Sequence, residues 1–378
     1  MKYLNLFLSL LLLLNNCGDN NYSVDSGVDE LSDTRPDDTS SEDISPNRID
    51  WAIIVTTDYS TGNYRRLNLD QWSISDDLGI IHSDSVVRCF KDRAFIIHRF
   101  GSGSLSYIEG DPPQIVNQFS IGAEKNPQDL VLDQDDTLWV VYFDDNRIRH
   151  FSIDGQELES PYDLSEFADQ DGKVEAEAIY KYGGRLFVAI QLIDTESSWS
   201  PVANGKVIVL DEDGVEDVIE LPGMNPITRF KEYKGKLYIG FTGNYYIYGD
   251  EGIVEIDPES LSLRVLVSGE TLQGDINDFV IYNDELVYIL VSKGEQDQLL
   301  QYFIKDNVLE TLYTAFQGYS LVHIERWGEY LLIADRYGEN PGILVWGGSE
   351  DFEYDQIFDT PIATGLPPFD LCIYSSGD

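Results

Sequence analysis

The sequence has few of the residue types that most often carry catalysis. Its 378 residues include only four histidines, three cysteines and two methionines. It contains no GxSxG nucleophile elbow, no HExxH zinc motif, no P-loop and no dinucleotide-binding GxGxxG. The histidines, at positions 82, 98, 150 and 323, are dispersed along the chain. No motif therefore predicts a definite reaction.

Basic residues are also scarce, with 25 Lys and Arg against 68 Asp and Glu and a formal net charge of −43. Only ten of the acidic residues lie within residues 18–50, so most of the excess falls on the remainder of the chain. A polyanionic surface repels nucleic acid and anionic lipid, which excludes both as direct partners. Cations, sugars and basic proteins stay compatible with this charge, and solubility alone is the alternative explanation of it.

The first 17 residues indicate a targeting element. Lys2 supplies a weakly positive start, and the apolar run from Leu4 to Leu14 is too short to cross a bilayer as a helix. The segment resembles a bacterial lipoprotein signal, in which Leu stands three residues before a lipidated Cys, here Cys17; Asn16 departs from the usual Gly or Ala. The resemblance implies attachment to the membrane of a bacterial cell envelope through the lipid anchor, the outer membrane rather than the inner. A plain secretory signal with an incidental Cys is the alternative.

Residues 18–48 are rich in Asp, Ser, Glu and Asn and have few large apolar residues. Such a stretch cannot bury enough surface to offset the entropy of ordering it. We therefore predict an acidic, disordered tether between the lipid anchor and a folded domain at residues 49–378.

From residue 49 onward, short runs of Val, Ile, Leu, Tyr, Phe and Trp alternate with Gly, Asp, Asn and Pro, and no run of ten or more has helical period. Similar units recur, with inner strands expected to start near residues 84, 127, 174, 225, 275, 318 and 366. A spacing of 43 to 51 residues with about four strands per unit is typical of propeller blades. We predict an all-β, seven-bladed β-propeller and a monomer. The terminal GLPPFDLCIY would supply the inner strand of the last blade, and residues 50–74 its outer three.

Three segments resemble a known group of proteins: residues 173–201, residues 321–346 and the terminal GLPPFDLCIY. They are similar to proteobacterial surface lipoproteins whose seven-bladed propellers are like YVTN, NHL and gluconolactonase-type propellers. The resemblance covers the domain from about residue 50 onward. It implies the architecture and the envelope location, but no activity.

Polar residues of the first strands should line the central channel. Aligning the units places one residue per blade there: Arg88, Asp129, Glu177, Arg229, Asn277 or Asp278, His323 and Asp370. Carboxylates at a channel mouth suit calcium or magnesium, so calcium is the one cofactor considered. Gluconolactonase-like enzymes, which this group resembles, hold a divalent metal in this way. The alternative is that these groups bridge neighbouring blades or bind channel water.

The second candidate surface lies in the long turns between second and third strands, which should all emerge on one face. These turns carry five aromatic residues beside acids: Trp199, Tyr245, Tyr246, Tyr248 and Tyr337. Such residues suit stacking on sugar rings or anchoring a protein partner. The alternative is that Tyr, with 23 copies, is simply the strand residue that this protein favours.

Cys89 and Cys372 fall on the inner strands of blades that are adjacent in the closed ring. A disulfide and two buried free thiols both remain open. The function predicted from the sequence is a lipid-anchored envelope propeller that binds a protein or carbohydrate ligand or acts as a scaffold. A metal-dependent, lactonase-type hydrolase that uses the channel is the alternative, and an enzyme is the less favoured interpretation.

Overall fold

The structure is a computed structural model that describes residues 49–196, 199–245, 247–337, 340–348 and 354–376. The signal segment, the tether and Cys17 lie outside the described residues, so the hypotheses about them remain predictions. None of the helices in the described part of the chain is long and apolar enough to cross a bilayer.

The described chain forms seven four-stranded antiparallel blades, which confirms the predicted all-β propeller. The N-terminal strands of the closing blade, blade 7, are β1 (Ile49–Thr57), β2 (Gly62–Asn68), β3 (Ser73–Ile74) and β4 (Gly79–Ile81). The strands of the other blades are given from the inner strand outward. Blade 1 consists of β5 (Ser85–Phe90), β6 (Arg93–His98), β7 (Ser104–Glu109) and β8 (Gln114–Ser120), and blade 2 of β9 (Pro127–Leu132), β10 (Thr137–Tyr142), β11 (Arg149–Ser152) and β12 (Glu157–Leu158). Blade 3 consists of β13 (Ala176–Tyr182), β14 (Arg185–Ile190), β17 (Lys206–Asp211) and β18 (Gly214–Glu220). A small hairpin of β15 (Ile193–Asp194) and β16 (Ser200–Pro201) projects from blade 3.

Blades 4 to 6 follow in the same order along the chain. Blade 4 consists of β19 (Lys231–Tyr233), β20 (Lys236–Phe241), β21 (Gly252–Ile256) and β22 (Leu263–Ser268). Blade 5 consists of β23 (Asp275–Asn283), β24 (Leu286–Lys293), β25 (Gln296–Phe303) and β26 (Val308–Ala315). Blade 6 consists of β27 (Leu321–Trp327), β28 (Tyr330–Asp335), β29 (Gly342–Gly348), β30 (Tyr354–Gln356) and β31 (Ile362–Ala363). The helical elements within the described ranges are a 3-10 turn, Ser165–Phe167, and the four-residue α1, Gly269–Leu272.

The last strand, β32 (Pro368–Ser376), closes the ring. It pairs antiparallel with β1, from Ile49 opposite Ser376 to Val55 opposite Asp370, and becomes the inner strand of blade 7. This is the predicted role of GLPPFDLCIY. The predicted starts of the inner strands lie within a few residues of the observed ones, except in blade 4, where the strand begins at Lys231 instead of residue 225. Pro226 forms an isolated bridge with Phe241, but Ile227 and Thr228 both donate to the Gly240 carbonyl. The Thr228 hydroxyl accepts the N–H of Gly240 in place of a backbone carbonyl, so the regular ladder begins only at Lys231.

The apolar core is divided among the seven blade interfaces. Seven separate clusters of buried side chains each join two adjacent blades. In the cluster between blades 7 and 1, for example, Ile53, Val55 and Tyr374 pack against Val87 and Ile96. Because the blades are held together side by side, the inner edges are free to present polar residues to the channel.

Neighbouring strands run in opposite directions, so the two ends of the propeller carry different connections. The inner strands begin at one end, where the connections between second and third strands and those between successive blades also lie. We call this end the loop face. The inner strands end at the opposite face.

Candidate functional site

Six of the predicted channel residues meet in one ion network in the middle of the channel. They come from six different blades, and they are Arg88, Asp129, Arg229, Asp278, His323 and Asp370. Residues remote in sequence converge here because each inner strand contributes its edge to the same channel. The prediction that they bind a ligand is untested.

Asp370 is the centre of this network. Its carboxylate accepts from Arg88 Nη1 at 3.0 Å and also pairs with the guanidinium of Arg229. The same carboxylate accepts backbone N–H groups from Val87 at 2.8 Å and Leu371 at 2.9 Å. Val87 belongs to the next blade, so this side chain joins the closing blade to blade 1.

Two further aspartates join neighbouring blades in the same way. Asp129 of blade 2 accepts the N–H of Ile179 in blade 3 at 3.0 Å. Asp278 of blade 5 accepts the N–H of Ile324 in blade 6 at 3.1 Å, and it also lies 2.7 Å from His323 Nδ1. This repeated geometry corresponds to the alternative in which the polar groups bridge blades. Within the described ranges, no group of three or more His, Cys, Asp or Glu residues is arranged to hold a metal ion; calcium binding stays a prediction.

The network keeps its acids ionised despite their burial. Burial by itself raises the pKa of Asp278, but the Lys231 ammonium and the His323 imidazole lower it well below its ordinary value. Burial likewise opposes ionisation of Glu325, and Lys231 is the main group that lowers its pKa, to about 2. Burial and Arg229 lower the pKa of His323, yet Asp278 and Asp370 outweigh them and raise it.

Glu177, the seventh predicted residue, stands apart from the network. It occupies a bulge in the inner strand of blade 3, nearer the loop face. Its pKa is raised to about 8, mainly by burial, while the Arg99 guanidinium acts in the opposite direction. The Arg99 guanidinium is held by Asp84, with Nη2 2.6 Å from Oδ1. Glu177 is therefore a carboxyl group that can hold a proton near neutral pH.

Sequence reasoning missed two members of the network, Lys231 and Glu325. Lys231 Nζ lies 3.4 Å from Asp278 and 3.6 Å from Glu325. Each missed residue stands two positions after a predicted one, Arg229 or His323; Glu325 therefore lies on the same side of β27 as His323. That alternation was the available signal.

A cavity of about 460 Å³ opens from the network toward the opposite face. Its lining combines charged network residues with apolar and aromatic side chains, among them Arg88, Arg229, Glu325, Phe90, Tyr180, Phe230 and Ile373. The disulfide between Cys89 and Cys372, with an S–S distance of 2.11 Å, also borders it. The bond joins the inner strands of blades 1 and 7, so of the two alternatives the structure contains the disulfide.

Four of the predicted loop aromatics are exposed on the loop face: Trp199, Tyr245, Tyr248 and Tyr337. The fifth, Tyr246, lies outside the described residues. Four other exposed aromatics lie in connections on this face and were not predicted: Tyr59, Phe100, Phe316 and Tyr319. Trp199 also stacks on Phe143, with ring centroids 6.4 Å apart. All eight exposed aromatic side chains of the described residues are thus at one end of the propeller.

Together the fold and these sites define a seven-bladed β-propeller with a charged channel and an aromatic face. A scan against protein-family models finds no match, and a search of curated proteins finds no relative. Among solved structures, the chain is similar to a hypothetical selenium-binding protein from Sulfolobus tokodaii at 8% identity, with a TM-score of 0.63 over 87% of this chain and 94% of that one. It is also similar to a provisionally named 6-phosphogluconolactonase from Bacteroides uniformis at 12% identity, with a TM-score of 0.59 over 87% and 99%. At these identities the likeness shows the fold alone.

The raised pKa values of two channel residues predict that the stability of the fold decreases as pH rises. The folded chain holds a proton on Glu177 up to a pKa of about 8, whereas the ordinary value is 4.5. The pKa of His323 is raised as well. Because the unfolded chain releases these protons at lower pH, the stabilisation is lost as pH rises through the folded values. We expect a melting temperature several degrees lower at about pH 9 than at about pH 6, measured by circular dichroism.

Glu177→Gln should reduce this difference, because the glutamine cannot ionise. The same change at the exposed Glu212 serves as the control and should leave the difference unchanged. A wild-type protein that melts higher at pH 9 than at pH 6 would contradict the assignment.

Proposed function

We propose that this propeller is a binding module whose loop face docks a protein or carbohydrate ligand. The observation that carries the proposal is the segregation of the exposed aromatic side chains to that face. The exposed aliphatic side chains are distributed differently, since most of them, such as Val116, Val215 and Val308, lie on outer strands. A general excess of tyrosine in strands does not produce this separation.

Aromatic side chains on rigid connections are well suited to recognition. They bring a large contact area at a low cost in side-chain entropy, and their flat faces pack on sugar rings as well as on apolar protein groups. Connections on a fixed scaffold are also where binding residues concentrate in many folds. The channel network supports a structural role beneath this face, because its aspartates hold neighbouring blades together.

The test is a comparison of two triple variants in pull-downs from envelope extract. Trp199→Ala, Tyr245→Ala and Tyr337→Ala together remove aromatic area from the loop face. Val116→Ala, Val215→Ala and Val308→Ala together provide a matched control on outer strands. We expect one extract component to be retained by the wild type and the control, and to be at least about tenfold depleted by the loop-face variant, as for a central contact worth about 1.4 kcal/mol or more.

Treating the extract with protease or with periodate distinguishes a protein ligand from a carbohydrate. Retention by the loop-face variant equal to that of the wild type would contradict the proposal.

The envelope location is part of the same proposal. Residues 18–48 would hold the propeller away from a membrane in which Cys17 is anchored. Two or more acyl chains bind a bilayer stably, whereas a single chain binds marginally. We therefore expect Cys17→Ser to move the protein from the membrane pellet to the soluble fraction after cell lysis, judged by immunoblotting. A variant that stays in the pellet would show that Cys17 is not the anchor.

Lactonase-type hydrolysis is the second candidate function. It is favoured by the position of Glu177 at the channel, where burial raises its pKa to about 8 against the effect of the Arg99 guanidinium. A carboxyl group with such a pKa could act as a general acid or base. Hydrolysis of a δ-lactone by the wild type that is lost in Glu177→Gln and kept in the Glu212→Gln control would favour this candidate over pure binding.

A further inference from the structure

Arg336 lies on the loop face where blade 6 meets the closing blade. It directly follows β28, and its guanidinium donates from Nη1 to Pro368 O at 3.1 Å and from Nη2 to Thr57 O at 3.0 Å. The group also lies over two aromatic rings, 4.6 Å from the centroid of Tyr59 and 5.3 Å from that of Phe369. Its position is thus defined by neutral partners on the closing blade.

Arg336 has no ion pair with any carboxylate of the described residues, although the chain carries a large excess of acid. Most other arginines of the described part pair with Asp or Glu. Burial lowers the pKa of Arg336, and Tyr59 and Asp58, which act in the opposite direction, offset this shift only in part. A guanidinium has five N–H donors, and the two carbonyls do not exhaust them.

The surroundings of Arg336 add further recognition groups. Phe369 occupies a bulge of the inner strand, and the Arg99 guanidinium also lies over its ring, 5.6 Å from the centroid. The charge of Arg99 is already compensated by Asp84, and Glu177 is close enough to perturb it. Tyr59 is 39% exposed, so its ring is accessible from solvent. A cation without an ion pair to a described carboxylate, a pair of aromatic rings and a carboxyl group therefore border the loop-face mouth of the channel.

We propose that this mouth binds a carboxylate-bearing sugar, with the sugar carboxylate paired to Arg336 and the sugar ring packed on Tyr59. The inference deepens the proposed function and rests on it, because it names the ligand class for one part of the loop face. A guanidinium matches a carboxylate bidentately, and an aromatic ring matches the apolar face of a pyranose. Glu177 can then accept a hydrogen bond from a sugar hydroxyl when it is ionised, or donate one to it when it is protonated. A simple carboxylate lacks the sugar ring and a neutral sugar lacks the charge, so neither makes both contacts.

Isothermal titration calorimetry with glucuronate, glucose and acetate tests this proposal on the full chain. The titration should be done in about 150 mM salt, where the Debye length of about 8 Å screens repulsion by the rest of the anionic surface. We expect glucuronate to bind at least about tenfold more tightly than either glucose or acetate. Equal binding of glucose, equal binding of acetate, or no measurable binding of glucuronate would each overturn the proposal.

Arg326 offers a matched control for Arg336. It too lies over a tyrosine ring, 4.1 Å from the centroid of Tyr282, and has no ion pair with a described carboxylate, but it lies at the opposite face. Arg336→Gln should weaken glucuronate binding at least about tenfold, and Arg326→Gln should leave it unchanged. Unaltered binding by Arg336→Gln overturns the assignment.

Arg336→Gln also removes hydrogen bonds to the closing blade, so its fold must be checked by its melting temperature. Tyr59→Leu leaves both carbonyl contacts in place and should weaken glucuronate binding independently of folding; unchanged binding in this variant overturns the ring contact. The loop-face triple variant at Trp199, Tyr245 and Tyr337 keeps both Arg336 and Tyr59. If this variant loses extract binding and the wild type shows no glucuronate binding, this inference is overturned and the proposed function still holds.

Discussion

Deletion of residues 365–378 is expected to leave a protein that is insoluble or melts far below the intact chain. The deleted segment includes β32, which pairs with β1 along nearly its whole length. Leu371 packs in the interface with blade 6, and Tyr374 packs in the interface with blade 1, so both neighbours of the closing blade lose contacts. Burying each of these two side chains contributes roughly 1.5–3 kcal/mol, against a total stability of about 5–15 kcal/mol for an ordinary domain.

The deletion also uncovers the edge of β1, whose Ile53, Ile54 and Val55 are buried in the intact protein. A long apolar edge strand is a template for aggregation. Differential scanning fluorimetry and the soluble fraction after expression provide the measurements.

Deletion of residues 18–48 is the control for the truncation and should leave the melting temperature nearly unchanged. A second control, Cys89→Ser with Cys372→Ser, isolates the disulfide, whose loss typically costs about 2–4 kcal/mol. The double variant should stay soluble and lose less stability than the truncated protein. If the truncated protein melts like the intact one, the last strand cannot be what closes the ring.

Asp370→Ala is expected to destabilise the fold more than any other single change in the channel. The substitution leaves Arg88 and Arg229 without their shared carboxylate, and it removes the acceptor for the N–H of Val87. Breaking a buried ion pair from one side typically costs about 3–5 kcal/mol, because the remaining charges stay buried with less compensation. Urea unfolding of the wild type and the variant measures the difference.

Asp284→Ala is the matched control. Asp284 pairs with Lys234 on the surface, where both side chains are largely exposed, and exposed pairs contribute little. Combining Asp370→Ala with Arg229→Met should recover part of the lost stability, because one uncompensated cation is removed as well. A cost for Asp370→Ala no larger than that for Asp284→Ala would show that the network does not stabilise the channel.

The inner strands show why part of the candidate site was predictable. Their Asp, Arg and His residues interrupt apolar runs at equivalent places in successive repeats, so aligning the repeats was enough to bring Asp129, Asp278 and Asp370 to the channel. The pairing partners were not predictable in this way. Arg88 reaches both Asp129 and Asp370, and this choice depends on side-chain length and on the turn of the ring.

On the loop face, the sequence predicted only some of the exposed aromatic residues. Trp199 and Tyr337 were found because they lie in unusually long connections, whereas Tyr59 and Phe100 lie in short ones and gave no such signal. Arg336 resembles any other basic residue in the sequence. That it forms no ion pair with a described carboxylate is a property of distances across the junction between blade 6 and the closing blade, and no local pattern encodes those distances.

The sequence by itself determined the repeat length, the number of blades and the strand that completes the ring. These follow from local alternation and from turn residues, which act over a few positions of chain. Only the tertiary structure decided which charges pair in the channel, that Cys89 and Cys372 are bonded, and that the exposed aromatic side chains gather on one face. Each of these depends on the distance between residues of different blades, which is set when the blades pack side by side around a common axis.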